Sequence, residues 1–185
     1  ILTHIGHSEK VYNIMCILKN WDNKTWLSSS LYVNSFNCFL LKKKRLNKNS
    51  QILDIGCGRG KIFGVISRKL KLVNKPIGID TVDHKDVDGG IDFRNEDVFK
   101  FFKTNQIKFD LIMIKQTLHF FNKNKRSKLI KICKNNLKNG GVLIILSLNT
   151  SNNEIPCFKL MKQKLNRGLE RDSRMINSIC KILKD

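Results

Sequence analysis

Long hydrophobic runs are missing from this chain of 185 residues. A membrane-spanning helix needs roughly 20 consecutive apolar residues. The longest apolar stretch, residues 141–148, is only as long as a β-strand. The sequence therefore offers no candidate for a transmembrane segment, and no membrane partner is expected. The hydrophobic fraction of 41% is nevertheless typical of a globular protein with a core.

Closely spaced cysteines are also missing. The six cysteines stand at positions 16, 38, 57, 133, 157 and 180, with no C-x-x-C pair and no Cys/His cluster at zinc spacing. The first ten residues, "ILTHIGHSEK", lack the apolar block and the cleavage site of a secretory signal peptide. These absences predict reduced thiols, no metal site and a cytoplasmic location.

Acidic residues are scarce. There are 15 Asp and Glu against 35 Lys and Arg, which gives a formal net charge of +20. Such an imbalance can mark a protein that binds nucleic acid. The lysines are spread along the whole chain, however, and the cluster "KKKR" at 42–45 has no interleaved aromatic residues on which bases could stack. A small-molecule partner is therefore favoured, and nucleic acid stays open as a second partner class.

The chain shows no internal repeat and no low-complexity linker, which predicts one structural domain. We divide it into three parts. Residues 1–50 form an N-terminal helical extension, in which Trp21, Trp26 and Tyr32 belong to a lid. Residues 51–150 form an α/β core, and residues 151–185 form a C-terminal helical segment.

Short apolar runs alternate with helical patterns in the central part of the chain. The predicted strands are "QILDI", "KPIGID", "IDFRN", "FDLIMIK" and "VLIILSL", and a polar, glycine-containing loop separates the second from the third. The residues Asn139, Gly140 and Gly141 are expected to end the helix that precedes the fifth strand. Because the strands are continuously apolar, the pattern predicts a doubly wound, mainly parallel sheet with helices on both faces.

A glycine-rich turn, "ILDIGCGRGK" at 52–61, follows the first strand. Ligands of such sheets bind at the carboxyl ends of the strands. A P-loop needs Ser or Thr after its lysine, but Ile62 follows Lys61. A dinucleotide loop, G-x-G-x-x-G, needs its third glycine where Lys61 stands. The acid Asp54 would also disfavour a phosphate there.

The pattern that remains, D-x-G-x-G-x-G, resembles motif I of the class I S-adenosylmethionine-dependent methyltransferases, of the type 11/12 kind. The stretches "IGID", "NEDVF", "FDLIMIKQTLHFF" and "LKNGGVLIILSL" resemble later parts of that family in the right order, over residues 50–150. The resemblance implies a Rossmann-like methyltransferase fold and an enzyme that uses S-adenosyl-L-methionine. This cofactor is a cation without phosphate, which suits an acid beside the glycines.

The same resemblance implies a cofactor site. Asp80 would accept hydrogen bonds from the ribose hydroxyls, and Asp97 would hold the adenine amino group while the Val98 N–H meets the ring. Lys115 would contribute main-chain contacts. The expected cofactor-binding residues are Asp54, Gly56, Cys57, Gly58, Gly60, Asp80, Asp97, Val98 and Lys115.

The residues that carry the chemistry are less evident. A general base is needed only if the methyl acceptor must lose a proton. His119, in the loop after the fourth strand, is the candidate, and a packing or capping role is its alternative. The [DNS]-P-P-[YF] segment of amino-methylating DNA enzymes is replaced by "IKQT", and we interpret Cys157 as an ordinary thiol. The acceptor stays unidentified, with a small molecule favoured.

The ends of the chain depart from the family pattern. The family sheet normally has two more strands after the fifth, whereas this chain continues with helical patterns and opens on Ile1 rather than Met. We therefore expect a fragment that lacks the last two strands. Two other functions stay open: a non-catalytic nucleic-acid-binding protein on the same scaffold, and a partner subunit whose missing strands come from another chain.

Overall fold

The computed structural model describes residues 30–43 and 46–146. Trp21, Trp26, Cys157, the side chain of Tyr32 and the C-terminal segment 151–185 lie outside this part. The elements in chain order are helix α1 (Ser30–Lys43), strand β1 (Ile52–Ile55), helix α2 (Lys61–Leu70), strands β2 (Ile77–Asp80) and β3 (Asp92–Asn95), helix α3 (Val98–Thr104), strand β4 (Phe109–Lys115), a 3-10 turn (Leu118–Phe120), helix α4 (Lys123–Asn135) and strand β5 (Leu137–Leu146).

All five predicted strands are present, and they form one sheet in the order β3-β2-β1-β4-β5. Every neighbouring pair is parallel. The expectation of a doubly wound parallel sheet is thereby confirmed. The strand order reverses between β1 and β4, and in such folds a ligand crevice opens at the carboxyl ends of the strands at this point.

Two hydrophobic clusters cover the two faces of the sheet. One face carries Leu53, Ile55 and Ile112, packed against Phe101 of α3 and Leu129 of α4. The opposite face packs against α1 and α2. Its buried members include Ile52, Leu111 and Met113 from the strands and Leu40, Phe63 and Ile66 from the helices. Coverage on both sides explains why the strands are continuous apolar runs.

Helix α4 ends earlier than expected. Asn136 caps it: its backbone N–H donates to the Ile132 and Cys133 carbonyls, and its side-chain Nδ2 donates to the Ile132 oxygen at 2.8 Å. The prediction that Asn139, Gly140 and Gly141 end this helix was therefore wrong. Gly140, with φ of +71°, lies inside β5, where the register shifts between Phe109 and Leu111 of the neighbouring strand.

The crossover from β2 to β3, residues 81–91, contains turns and bends but no helix, as the sequence predicted. Parallel strands are usually joined through a helix. This crossover instead runs along α2 and contacts the glycine-rich turn, so it takes part in building the ligand crevice.

Candidate functional site

The glycine-rich turn joins β1 to α2 and has an unusual backbone. Gly56, Gly58 and Gly60 have φ angles of +70°, +54° and +66°. Such left-handed angles cost a residue with a side chain roughly 1–2 kcal/mol. Space is also lacking, since a Cβ on Gly60 would lie 2.1 Å from Ile91 Cδ1. The sequence pattern therefore reflects a geometric requirement of this turn.

The turn is bonded to the neighbouring strand β2. The backbone N–H groups of Gly56 and Cys57 both donate to the Ile79 carbonyl, at 2.8 and 3.1 Å. The next N–H, that of Gly58, donates to Asp80 Oδ2 at 2.9 Å. The second strand thus brings the Asp80 carboxylate directly beside the glycines, as the sequence led us to expect.

The Asp80 carboxylate keeps further acceptor capacity. Its Oδ1 accepts the Val82 N–H at 3.0 Å, and the imidazole Nε2 of His84 lies 3.9 Å from its Oδ2. Each carboxylate oxygen offers two lone pairs, so both oxygens can accept another hydrogen bond. The side chain is only 16% exposed, which limits competition from water.

Asp54 is the most unusual group in the crevice. It is 2% exposed, and its Oδ1 has no hydrogen-bond partner. Burial raises the pKa of Asp54 from 3.8 to about 7, against the lowering effect of the Lys115 charge, and Asp80 adds to the rise. A buried carboxylate oxygen without a partner is costly unless a cation or a donor reaches it. The arrangement suits a ligand with an ammonium group and disfavours a phosphate.

The end of β3 contributes Asp97 and Val98. Asp97 caps helix α3, because its Oδ1 accepts the N–H groups of Phe99 at 2.8 Å and Lys100 at 3.2 Å. The other carboxylate oxygen, Oδ2, accepts neither of these two hydrogen bonds. The Val98 side chain is buried in the core, and its backbone N–H occupies the first helical position, where no intrahelical acceptor exists.

The loop after β4 closes another side of the crevice. Lys115 ends the strand and is half-buried, and Gln116 has a left-handed φ of +54°. The Gln116 N–H donates to the Leu146 carbonyl at 2.8 Å, which holds the loop against β5. His119 lies in the 3-10 turn with its ring 4.1 Å from that of Phe120, centroid to centroid. Its role as a base stays a prediction.

Sequence reasoning missed four residues at this site. Thr117 fills the space beside Gly56, and Arg59 within the turn is paired with Asp86 of the crossover. Asp88 bonds to the same turn through its backbone, where its N–H donates to the Arg59 carbonyl at 2.9 Å. Each pair joins residues more than 25 positions apart, so no local pattern signals it.

The described ranges, 30–43 and 46–146, offer neither a candidate metal cluster nor a candidate membrane-spanning helix. They contain no group of three or more His, Cys, Asp or Glu side chains that could hold a metal ion. Within the same ranges no helix has both the length and the apolar character needed to cross a membrane.

Comparison with solved structures identifies the fold. The plantazolicin methyltransferase BpumL, in complex with a pentazolic desmethylPZN analog and SAH, superposes with a TM-score of 0.60 at 22% identity, over 92% of this chain and 69% of BpumL. An S-adenosylmethionine-dependent methyltransferase from Geobacter sulfurreducens gives 0.50 at 14% identity, over 75% and 55% of the two chains. Another from Archaeoglobus fulgidus gives 0.51 at 19%, over 71% and 56%.

Comparison with sequences places the chain in a family. No curated protein matches it significantly. The family model described as "Methyltransferase domain" matches residues 53–145, about half of the chain. The matched segment contains the three glycines of the turn, Asp80, Asp97 and the loop after β4. The chain therefore belongs to the methyltransferase-domain family, within the class I S-adenosylmethionine-dependent methyltransferases.

Proposed function

We propose that this chain binds S-adenosylmethionine at the carboxyl ends of β1 and β2 and transfers its methyl group to a small-molecule acceptor. The observation that carries the proposal is the unpartnered Oδ1 of Asp54, buried beside a left-handed glycine turn that is bonded to Asp80. Membership of the methyltransferase-domain family makes methyl transfer the expected reaction. The geometry of the crevice supports the roles that we propose for individual residues.

The residues fit the cofactor. The Asp54 carboxylate would hold the ammonium group of the methionine end, with Gly56, Cys57, Gly58 and Gly60 allowing close backbone approach. Asp80 would accept the ribose hydroxyls. The free oxygen of Asp97 and the N–H of Val98 would meet the adenine, and Lys115 would border the site through its backbone. When bound, the cofactor supplies an electrophilic methyl group on a sulfonium centre.

The protein mainly contributes alignment to this reaction. A preformed turn and the carboxylates of Asp54 and Asp80 would fix the cofactor without a reorganisation cost at the moment of transfer. A residue is needed as a base only if the acceptor atom carries a proton that must leave. In that case neutral His119, in the 3-10 turn after β4, would accept the proton at a ring nitrogen.

A small molecule is the acceptor class we favour. BpumL, which superposes on 92% of this chain, was crystallised with a desmethylPZN analog and SAH. The lysines are spread along the sequence and form no concentrated basic stripe that would bind nucleic acid.

We propose that the N-terminal residues 1–50 complete the acceptor site as a lid. Within this part, helix α1 packs on the sheet through Val33, Phe36 and Leu40. Cytoplasmic location stays a prediction.

Calorimetry with S-adenosylhomocysteine tests the cofactor site. We expect the unmodified chain to bind it and Asp80→Ala to weaken binding by at least about tenfold, since hydrogen bonds to a charged group are lost. Asp92→Ala is the matched control, because Asp92 lies at the amino end of β3, away from the carboxyl ends of the strands, and its side chain pairs only with Arg94 among the described contacts. No binding by the unmodified chain, or unchanged affinity in Asp80→Ala, would refute the assignment.

Transfer of a radiolabelled methyl group tests the acceptor class. The chain is incubated with labelled cofactor and a fractionated cell extract, and the label is followed in small-molecule, RNA and protein fractions. We expect label in the small-molecule fraction. Label in RNA would instead support the nucleic-acid partner that the net charge of +20 leaves open.

A further inference from the structure

The crossover of residues 81–91, called here the strap, connects β2 to β3 without a helix. A helix at this position would hold itself together through its own backbone hydrogen bonds. The strap instead obtains its position from contacts to the glycine-rich turn and to α2. Those contacts are specific enough to suggest what the strap does for the ligand crevice.

The first anchor joins the strap to the middle of the turn. Arg59, between Gly58 and Gly60, donates from Nε to Asp86 Oδ1 at 2.5 Å. The Arg59 side chain is 14% exposed and that of Asp86 is 56% exposed. The hydrogen bond from Arg59 lowers the pKa of Asp86. The Arg59 carbonyl also accepts the Asp88 N–H at 2.9 Å, so the turn is held through both side chain and backbone.

The second anchor joins the strap to α2. The Asp88 carboxylate accepts from both terminal nitrogens of Arg68, at 2.6 and 3.0 Å, and from the Gly90 N–H at 2.9 Å. Bidentate pairs of this kind are geometrically specific. Asp88 also lies directly over Gly64 of α2, where a Cβ would be 2.3 Å from its Cγ. The close approach fixes the distance between strap and helix.

We propose that Asp86 and Asp88 are positioning residues that hold the glycine-rich turn in the conformation that binds the cofactor. This inference rests on the proposed function. Three glycines in five residues give the turn many accessible conformations, and ordering them costs entropy. Anchors that impose the order before binding raise affinity by removing that cost from the binding step.

The charge of Asp86 has a second effect on the same turn. Removing it would take away a negative charge that lies against the Arg59 guanidinium, two residues from Cys57 and next to Gly58. The ligand proposed for this crevice carries an ammonium group, which such a charge would repel. Pairing with Asp86 therefore favours a cationic ligand as well as fixing the backbone.

The test measures S-adenosylhomocysteine affinity by calorimetry in three variants of the full chain, together with thermal stability. We expect Asp86→Asn to weaken binding about fivefold with nearly unchanged stability, because the pair lies at the surface. Asp86→Glu keeps the charge and should stay within about twofold of the unmodified chain. Asp92→Asn removes an acid from the exposed Arg94 pair at the amino end of β3 and should also stay within about twofold.

Salt dependence tests whether the effect of Asp86 on affinity is electrostatic, and unchanged thermal stability in Asp86→Asn separates positioning from a purely structural role. The affinity difference between Asp86→Asn and the unmodified chain should shrink at high salt, since an exposed pair is screened. If the unmodified chain binds S-adenosylhomocysteine and Asp86→Asn binds it equally well, the positioning role is refuted and the proposed function stands. If the unmodified chain does not bind it, both fail.

Discussion

The hydroxyl group of Thr117 occupies the place that a Cβ atom on Gly56 would need, with only 2.0 Å between Oγ1 and the ideal Cβ position. Thr117 is held there by a hydrogen bond from its Oγ1 to the Lys115 carbonyl at 2.9 Å. Because Gly56 also donates its N–H to Ile79 of β2, the turn is confined on one side by β2 and on the other by the loop after β4.

Substitution of Gly56 is expected to be severe. Gly56→Ala combines a left-handed φ of +70° with the steric conflict against Thr117. We expect a loss of about 2–4 kcal/mol in the free energy of unfolding and loss of measurable S-adenosylhomocysteine binding. Gly140→Ala is the matched control, because Gly140 has a φ of +71° but no atom within 4 Å of its ideal Cβ position. Equal effects of the two substitutions would show that the contact with Thr117 is unimportant.

The raised pKa of Asp54 predicts an unusual dependence of stability on pH. Its pKa rises from 3.8 to about 7 on folding, so the native chain binds this proton more tightly than the unfolded chain does. The stability contribution is therefore full below pH 4 and is lost as the pH rises through 7. At about 1.4 kcal/mol per pKa unit, the loss is on the order of 4 kcal/mol.

Denaturation of Asp54→Asn between pH 4 and 8 checks this prediction. The variant should gain stability relative to the unmodified chain as the pH rises. Asp88→Asn is the opposite control, because the hydrogen bond from Arg68 lowers the pKa of Asp88. Asp88→Asn should lower the free energy of unfolding at pH values above the pKa that Asp88 has in the unfolded chain. A flat difference for Asp54→Asn would contradict the raised pKa.

Ligand binding should also release a proton from Asp54. An ammonium group beside the carboxylate favours its charged form. At pH 6, where burial keeps much of Asp54 protonated, calorimetric titration of S-adenosylhomocysteine in buffers of different ionisation enthalpy should show proton release. Asp54→Asn should show none. Proton uptake by the unmodified chain would place the ammonium group elsewhere.

A helix-favouring substitution in α2 is expected to harm the site. Gly64→Ala would normally stabilise a helix interior by about 1 kcal/mol. Here the added Cβ would displace Asp88 from its bidentate pair with Arg68. We expect no gain in stability and weaker S-adenosylhomocysteine binding. Gly89→Ala serves as control, since no atom lies within 4 Å of its ideal Cβ position. Stabilisation with unchanged affinity would argue against the second anchor.

Asp97 is expected to have two separable roles. Asp97→Ala should lower the free energy of unfolding by about 1 kcal/mol, because α3 loses its cap. Asp97→Asn keeps the cap but loses the charge, so it should preserve stability and still weaken binding. Asn122→Ala removes the cap of α4, where Asn122 Oδ1 accepts the Lys125 N–H, and should affect stability alone. Unchanged affinity in Asp97→Asn would exclude a contact with adenine.

The sequence predicts the parts of this protein that depend on local pattern. The five strands, the parallel sheet and the glycine turn follow from apolar runs, alternation with helices and spacing of Gly56, Gly58 and Gly60. Asp54 and Asp80 were expected in one crevice because their motifs resemble those of the methyltransferase family and because strand ends meet at one edge of a parallel sheet. Their order along the chain therefore maps directly onto neighbouring positions in the crevice.

Contacts between distant segments could not be predicted in the same way. Thr117 reaches Gly56 across 61 positions of sequence, and Asp86 reaches Arg59 across 27. Nothing in the sequence around Thr117 distinguishes it from a surface threonine. The end of α4 was misplaced for a different reason: the glycines at 140 and 141 are a stronger local signal than Asn136, whose backbone and side chain actually cap the helix.

The double hydrogen bond to the Ile79 carbonyl has a consequence for how a ligand reaches the crevice. Two successive N–H groups, those of Gly56 and Cys57, share this single acceptor on β2. Swinging the turn outward would break both bonds. A ligand that reaches the crevice therefore meets the glycine side as a fixed wall.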